Sequence, residues 1–335
     1  MTTPPPSPWS WTPAEPLLWE QPIALLRLSG PDTLRVLHGQ TSQDLQAARP
    51  GDWRSTCCLT PTARLRGLAE VLVDAEGAWL GLTAGDGPGL RQALDRVLFP
   101  ADQVELGPLR PGRRLRVLGG AADPAAVAAA GEASGTWRAL EGGGGWWLGA
   151  NALLLEDTPV PAELAGLSRP TEEEAERWRL RQGEPAWPGE INDAFNPFEL
   201  GLAARVSLNK GCYVGQETLA KLASGDGVKQ QLRRWHITAA PAGSPDPASA
   251  AGGLAPGTEL QTAEGTRAGQ LTSRLALADG AAVGLAMVRR LALESATLWA
   301  VVGEERVPLA LTRPEGFQDP PGPAGSGLGR RGNAV

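Results

Sequence analysis

The stretch NKGCYVGQE, residues 209–217, decides how the rest of the chain is read. It holds Lys210, one of only three lysines; Cys212, one of three cysteines; and Tyr213, the single tyrosine among 335 residues. Gly211 and Gly215 flank the thiol, and Gln216 and Glu217 follow at once. Of 31 basic residues only Lys210, Lys221 and Lys229 are lysine, all inside one short segment. The composition drifts toward Arg, Ala, Gly and Pro, so positions that resist the drift require a particular side chain. Arginine does not replace a compact ammonium with a tunable pKa. The segment INDAFNPF (191–198) shows the same resistance, gathering scarce Asn and Phe.

Working outward, the chemistry of the motif admits two readings. An ammonium near Cys212 favours its thiolate, the reactive and metal-binding form. Gly211 and Gly215 let the backbone approach a ligand or take positive φ. Gln216 and Glu217 offer an amide and a carboxylate to the hydrogen-bonding edge of a heterocycle. The same residues also suit a tight glycine turn with a buried Cys and a packed Tyr. Residue chemistry leaves both readings open.

Bulk properties narrow the classes. Hydrophobic residues at 42% and charged residues at 20% describe a soluble globular chain long enough for two or three domains. Net charge of −6 argues against a general phosphate-binding surface, so no direct nucleic-acid contact is expected. No apolar run approaches the roughly 20 residues of a membrane span. The N-terminus lacks a basic n-region and an apolar h-region, which argues against a secretory signal. Three cysteines, with Cys57 and Cys58 adjacent, make a poor disulfide framework, and a cytoplasmic, reducing home is expected. Cys57-Cys58 reads as a packing pair in an apolar strand. His38 and His236 lie too far apart for the usual zinc spacings, and no metal site is expected. There is no nucleophile elbow and no P-loop. The glycines of EGGGGWWLG (141–149) do not follow a strand and open a helix, so they form a loop or hairpin tip.

Patterning gives a coarse architecture. Residues 1–16 read as a flexible Pro-rich arm and 314–335 as a flexible tail. PIALLRLSG (22–30) reads as a buried strand, PDTLRVLHG (31–39) as a short helix, and 55–83 as a three-stranded meander. Residues 87–99 have helical spacing, whereas 107–168 read as short apolar runs. RPTEEEAERWRLRQG (169–183) is the clearest helix, with Thr171 as cap, Glu174 completing a capping box and Gly183 at its end. KQQLRRWHIT (229–238) reads as a strand, 239–257 as a small-residue loop, and the remainder as short strands of a compact barrel or sandwich. The boundary between an N-terminal region (17–228) and a C-terminal barrel (229–313) follows.

KGCYVGQE resembles the signature of the YgfZ family, folate-binding relatives of the glycine cleavage T-protein. LHGQTSQDL (37–45) is similar to the family's N-terminal G-Q-x-(T/S)-x-D stretch. LRQGEP (180–185) resembles its R-x-x-x-G-x-P stretch, which starts at Arg179 here. GTRAGQLTSRLALADGAAVGLAMVRR resembles the T-protein's C-terminal barrel. The resemblance covers roughly residues 20–312. It implies an α+β class, with a T-protein-like fold of two α+β subdomains plus a small C-terminal β-barrel around a central cavity. It implies tetrahydrofolate or a derivative as ligand. It also implies an accessory role in assembling or repairing iron–sulfur clusters of client enzymes, some of them tRNA-modifying, by a monomer. The alternative is a folate-dependent aminomethyltransferase or demethylase of the T-protein type.

Carried over position by position, Cys212 is the implied functional thiol with Lys210 as its electrostatic partner. Gly211, Tyr213, Gly215, Gln216 and Glu217 complete the signature, and Asp44 and Arg179 belong to the implied folate site. Trp19 and Trp178 are candidates for stacking on folate rings. Glu190 stands where T-protein relatives often have a carboxylate facing the pterin. Two positions depart from the pattern: Arg181 replaces a common Glu, and Lys221 replaces a common Arg.

Overall fold

A computed structural model of the chain describes residues 7–119, 134–225, 227–237, 252–278 and 280–320. Eight strands close the larger barrel: β1 (Leu17–Ser29), β2 (Asp52–Leu59), β3 (Leu65–Asp74), β4 (Gly77–Gly85), β5 (Glu105–Leu118), β6 (Ser134–Ala139), β7 (Gly145–Leu148) and β8 (Asn151–Leu155). Around it they run β1-β4-β3-β2-β6-β7-β8-β5, so each half of the region contributes four contiguous strands. The seams are the antiparallel pairings of β1 with β5 and of β2 with β6.

Alternation along the strands separates two faces. Ala69, Val71 and Val73 of β3 pack with Leu37 of helix α1 (Thr33–Gln40) and Leu94 of helix α2 (Gly87–Asp95). Leu115 of β5 and Leu154 of β8 pack on Leu164 of the short helix α3 (Ala162–Ala165). Helices therefore cover the outside. The intervening positions, among them Leu25, Trp53, Leu72 and Leu153, face the lumen and fill one end of it.

A connector carries helix α4 (Glu172–Gln182) and helix α5 (Gln216–Ser224). The capping box on α4 forms as its sequence requires: Thr171 Oγ1 accepts from Glu174 N–H at 3.2 Å, and Thr171 N–H donates to Glu174 at 2.8 Å. Gly183 ends the helix at φ +74°, a conformation that favours glycine. The second barrel is six-stranded: β9 (Gln230–Ile237), β10 (Glu259–Gln261), β11 (Arg267–Ala276), β12 (Ala282–Arg289), β13 (Thr297–Val302) and β14 (Glu305–Thr312), closed in the order β10-β11-β12-β9-β14-β13. Its core is organised around the fully buried Trp235.

Three sequence expectations change. Residues 7–16 of the expected flexible arm include a 3-10 turn, Pro8–Ser10, whose Trp9 is only 4% exposed and joins the central core. In the expected flexible tail, Phe317 is buried in that same core. A short Pro-rich segment carrying one large apolar residue gives no periodicity, so its docking leaves no pattern to read. The third change is β5, a 14-residue strand inside the tract read as short runs; Pro111 stands opposite Ala24 of β1, and Pro108 falls where the register shifts. Residues 1–6, 321–335 and most of the 239–257 loop lie outside the described residues. Among the described residues, no helix is long and apolar enough to cross a membrane.

Candidate functional site

The signature turn and the N-terminal G-Q stretch meet. Lys210 is 7% exposed, and its ammonium donates to the carbonyls of His38 (2.5 Å), Thr41 (2.7 Å) and Gln43 (2.8 Å). Its Nζ also lies 4.4 Å from the centre of the Tyr213 ring. Burial pulls the ammonium down to about 7, while the carboxylate of Asp44 works in the opposite direction. All three donor positions of the ammonium are thus committed to the backbone that links α1 to β2. Val214 N–H donates to Gly39 O and Ser207 N–H to Ser42 O, which stitch the two stretches further.

The remaining signature residues build this turn. Gly215 takes φ +83°, and a Cβ there would lie 2.9 Å from Ala63 Cα. Gly211 has ordinary backbone, and a Cβ on it would meet His38 Nε2 at 3.5 Å. Gln216 donates to Lys210 O at 3.1 Å, and Tyr213 is buried in the central core, where desolvation pushes its phenol up to about 12. Glu217 is exposed and pairs with Lys221 one helical turn on. Cys212 is exposed, whereas Cys57 and Cys58 are buried, as expected of packing thiols, and burial pushes both up to about 12.

A cavity of about 600 Å³ lies elsewhere, in the open end of the larger barrel. Alternate positions of β2 (Trp53, Ser55), β3 (Leu68, Glu70), β5 (Arg114, Arg116) and β8 (Asn151, Leu153) line it. Gln21 of β1, the end of β4, Arg179, residues 182–187, Leu200, Arg205 and Gln318 are also on its wall. Arg116 makes a bidentate pair with Glu184, and Arg205 pairs with Glu70 at 2.9 Å. Glu70 also accepts from Ser55 Oγ at 2.5 Å. The nearby positive charges hold Glu184 below the usual carboxylate range despite its burial.

The expected site residues therefore divide. Arg179 alone of them reaches this cavity; it also binds Glu176 and donates to Ser273 Oγ at 3.1 Å. Glu190 is fully buried behind it, accepting from Ser273 Oγ at 2.6 Å and from Ala186 N–H at 3.0 Å. Ser273, at a bulge inside β11, thus latches the second barrel to the connector. Asp44, instead of lining the cavity, is half exposed and accepts from the backbone of Gln46 and Ala47 beside His38. Trp19 is covered by the Arg116 guanidinium at 4.3 Å and Trp178 lies against Arg181, and neither is on the cavity wall. Cys212 is not on the cavity wall either. The expectation that Lys210 serves the thiol gives way to a structural duty.

Sequence reading missed Arg114, Arg116, Arg205 and Glu184. A usable signal exists in RRLRV (113–117): Arg114 and Arg116 flank Leu115, whose side chain is fully buried on the other face. A strand covered on its apolar side places such alternate arginines in the lumen.

The chain matches the crystal structure of the glycine cleavage system aminomethyltransferase T from Bartonella henselae, with a TM-score of 0.66 over 93% of this chain and 89% of that one, at 17% identity. The chain has a T-protein-like fold. That fold is α+β, with few helices and barrel-like sheets, as the resemblance of the signature implies. Among curated proteins, "Putative transferase At1g60990, chloroplastic" from Arabidopsis thaliana is 29% identical over 268 residues, 74% of this chain. The chain spans 59% of that relative's length. No family model matches the chain.

Proposed function

We propose that this T-protein-like chain is a folate-binding accessory factor of the YgfZ type, supporting iron–sulfur clusters of client enzymes, tRNA-modifying ones included, in the cytoplasm. The observation that carries this reading is a separation: a small-molecule cavity without a thiol, and an exposed Cys212 on a turn anchored outside it. A transferase working inside the cavity has no use for an external sulfhydryl; a factor that engages another protein's cluster does.

The residues present fit a folate. A volume of about 600 Å³ lies within the range of small-molecule sites. Trp53 and Trp187 on the wall offer faces for flat rings, and the arginines suit carboxylates. When bound, a reduced folate supplies one-carbon carrying capacity. The protein's own groups orient it and exclude water from the closed end of the lumen, where Leu72, Leu148 and Leu153 pack. Among the described residues no group of three or more His, Cys, Asp or Glu is arranged to hold a metal. A client cluster would therefore take Cys212 as one ligand and the rest from the client.

The aminomethyltransferase reading is favoured by the name of the matched crystal structure. Against it, Arg181, at the position of a common T-protein Glu, turns to Glu315 and the carbonyl of Trp11 and does not line the cavity. The test is complementation of a strain lacking its YgfZ-type protein, beside an assay of one-carbon transfer from a methylated donor. Rescue by wild type but not by C212S, without transfer activity, is expected. Full rescue by C212S, or transfer that survives it, defeats the accessory reading.

A further inference from the structure

Four guanidiniums stand on the cavity wall, those of Arg114, Arg116, Arg179 and Arg205, against the carboxylates of Glu70 and Glu184. Three have partners: Arg116 on Glu184, Arg205 on Glu70, and Arg179 on Glu176. Arg114 has no hydrogen bond or ion pair with any described residue. Its burial and the charge of Arg116 pull its cation down to about 10. Directly across the β1–β5 ladder stands Gln21, also on the cavity wall, whose Oε1 is buried without a donor. One rung of the barrel thus presents a cation without a contacting carboxylate and an orphaned acceptor to the same space. An acceptor buried without a donor costs free energy, and Arg114 faces the cavity with its hydrogen-bonding capacity unspent.

We infer that the Arg114–Gln21 rung is a ligand subsite for a carboxylate with an adjacent N–H donor, the carboxylate on Arg114 and the N–H on Gln21 Oε1. Glu184 holds Arg116, Glu70 holds Arg205, and Glu176 and Glu190 hold Arg179, so Arg114 alone of these four has no carboxylate in contact among the described residues. An amide-linked amino-acid end has this chemistry, as in the glutamate of a folate. That assignment of the ligand rests on the folate reading; the subsite itself rests on the rung. Arg114 binds and orients the acid, and no chemical step is assigned to it.

Equilibrium dialysis of the full chain tests this with three probes: 5-formyltetrahydrofolate, its pteroate counterpart lacking glutamate, and hippurate, which has only a ring, an amide N–H and a carboxylate. Wild type is expected to bind the glutamate-bearing probe about tenfold or more tighter than the pteroate. R114Q removes that preference while leaving the pteroate affinity unchanged, and R114K restores part of it. R114Q should also melt near the wild-type temperature, because no described residue loses a hydrogen bond or ion pair with Arg114. Equal affinities in wild type, a preference that survives R114Q, or a sharply lowered melting temperature for R114Q overturns the subsite and leaves the folate reading standing. If neither folate probe binds, the folate reading falls and hippurate decides. Retention by wild type and not R114Q upholds a subsite for another acid, and no retention by wild type overturns it.

Discussion

The ammonium of Lys210 sits 4.4 Å over the ring of Tyr213, three residues further on, with its protons spent on three carbonyls of the stretch between α1 and β2. This explains why a chain that otherwise uses arginine keeps a lysine here. Guanidinium is planar and broad, whereas three converging carbonyls need a compact tetrahedral donor. Removing it strands those carbonyls in a buried site. K210M is expected to lower unfolding free energy in urea by about 2–4 kcal/mol, with K210R failing to restore it. Alkylation of Cys212 in the folded K210M protein should change by less than about twofold; a larger fall would return Lys210 to the role of thiol partner.

Gly215 makes a second demand on the same turn. Its φ of +83° and the 2.9 Å approach that a Cβ would make to Ala63 Cα combine strain with overlap against backbone. G215A should cost about 1–3 kcal/mol, read as a lowered urea midpoint at constant m-value. G211A, whose Cβ would meet only ordinary contact, should cost far less. Equal losses for the two would show that conformation is not what holds the second glycine in place.

These two positions show what the sequence makes legible. Rare residues marked where tertiary constraint is strongest, and the capping box on α4 and the buried Cys57-Cys58 pair followed from local rules. The duty of Lys210 did not, because its partners are backbone atoms about 170 positions earlier and carbonyls carry no residue label. Trp19 shares the lumen face of β1 with Gln21, but the Arg116 guanidinium lies over its ring, as Arg181 lies by Trp178, and aromatic identity does not reveal such covering. The cavity arginines were legible only once Leu115 was known to face outward.

Thiol accessibility gives a direct measurement. Native protein treated with a disulfide reagent should release one equivalent of reporter from exposed Cys212, rising to three after denaturation, since Cys57 and Cys58 are buried and pushed up to about 12. C212S should leave the native value at zero and the melting temperature unchanged. A native value of two or more contradicts the packing of β2.

Acid sensitivity follows from the histidines. Burial, reinforced by the charge of Lys210, depresses His38, and burial, reinforced by Arg234, depresses His236. Both groups bind protons more weakly when folded than unfolded. The histidine contribution is therefore complete above the ordinary histidine value near 6.5 and falls as pH drops below it, by at most about 1.4 kcal/mol per pH unit for each group. Urea midpoints should decline between pH 7.5 and 5.5, and H38Q should flatten the decline. An unchanged slope in H38Q removes His38 from the account.

Both sheets of this protein close on themselves, so each described strand has a neighbour on both sides and only short stretches of free amide and carbonyl rim remain for a visiting chain. Such closure disfavours recognition by strand addition, and under the proposed function a client would be met by corners and side chains. A corner such as the one bearing Cys212 can then vary its bulk and charge while the hydrogen-bonded walls behind it stay untouched.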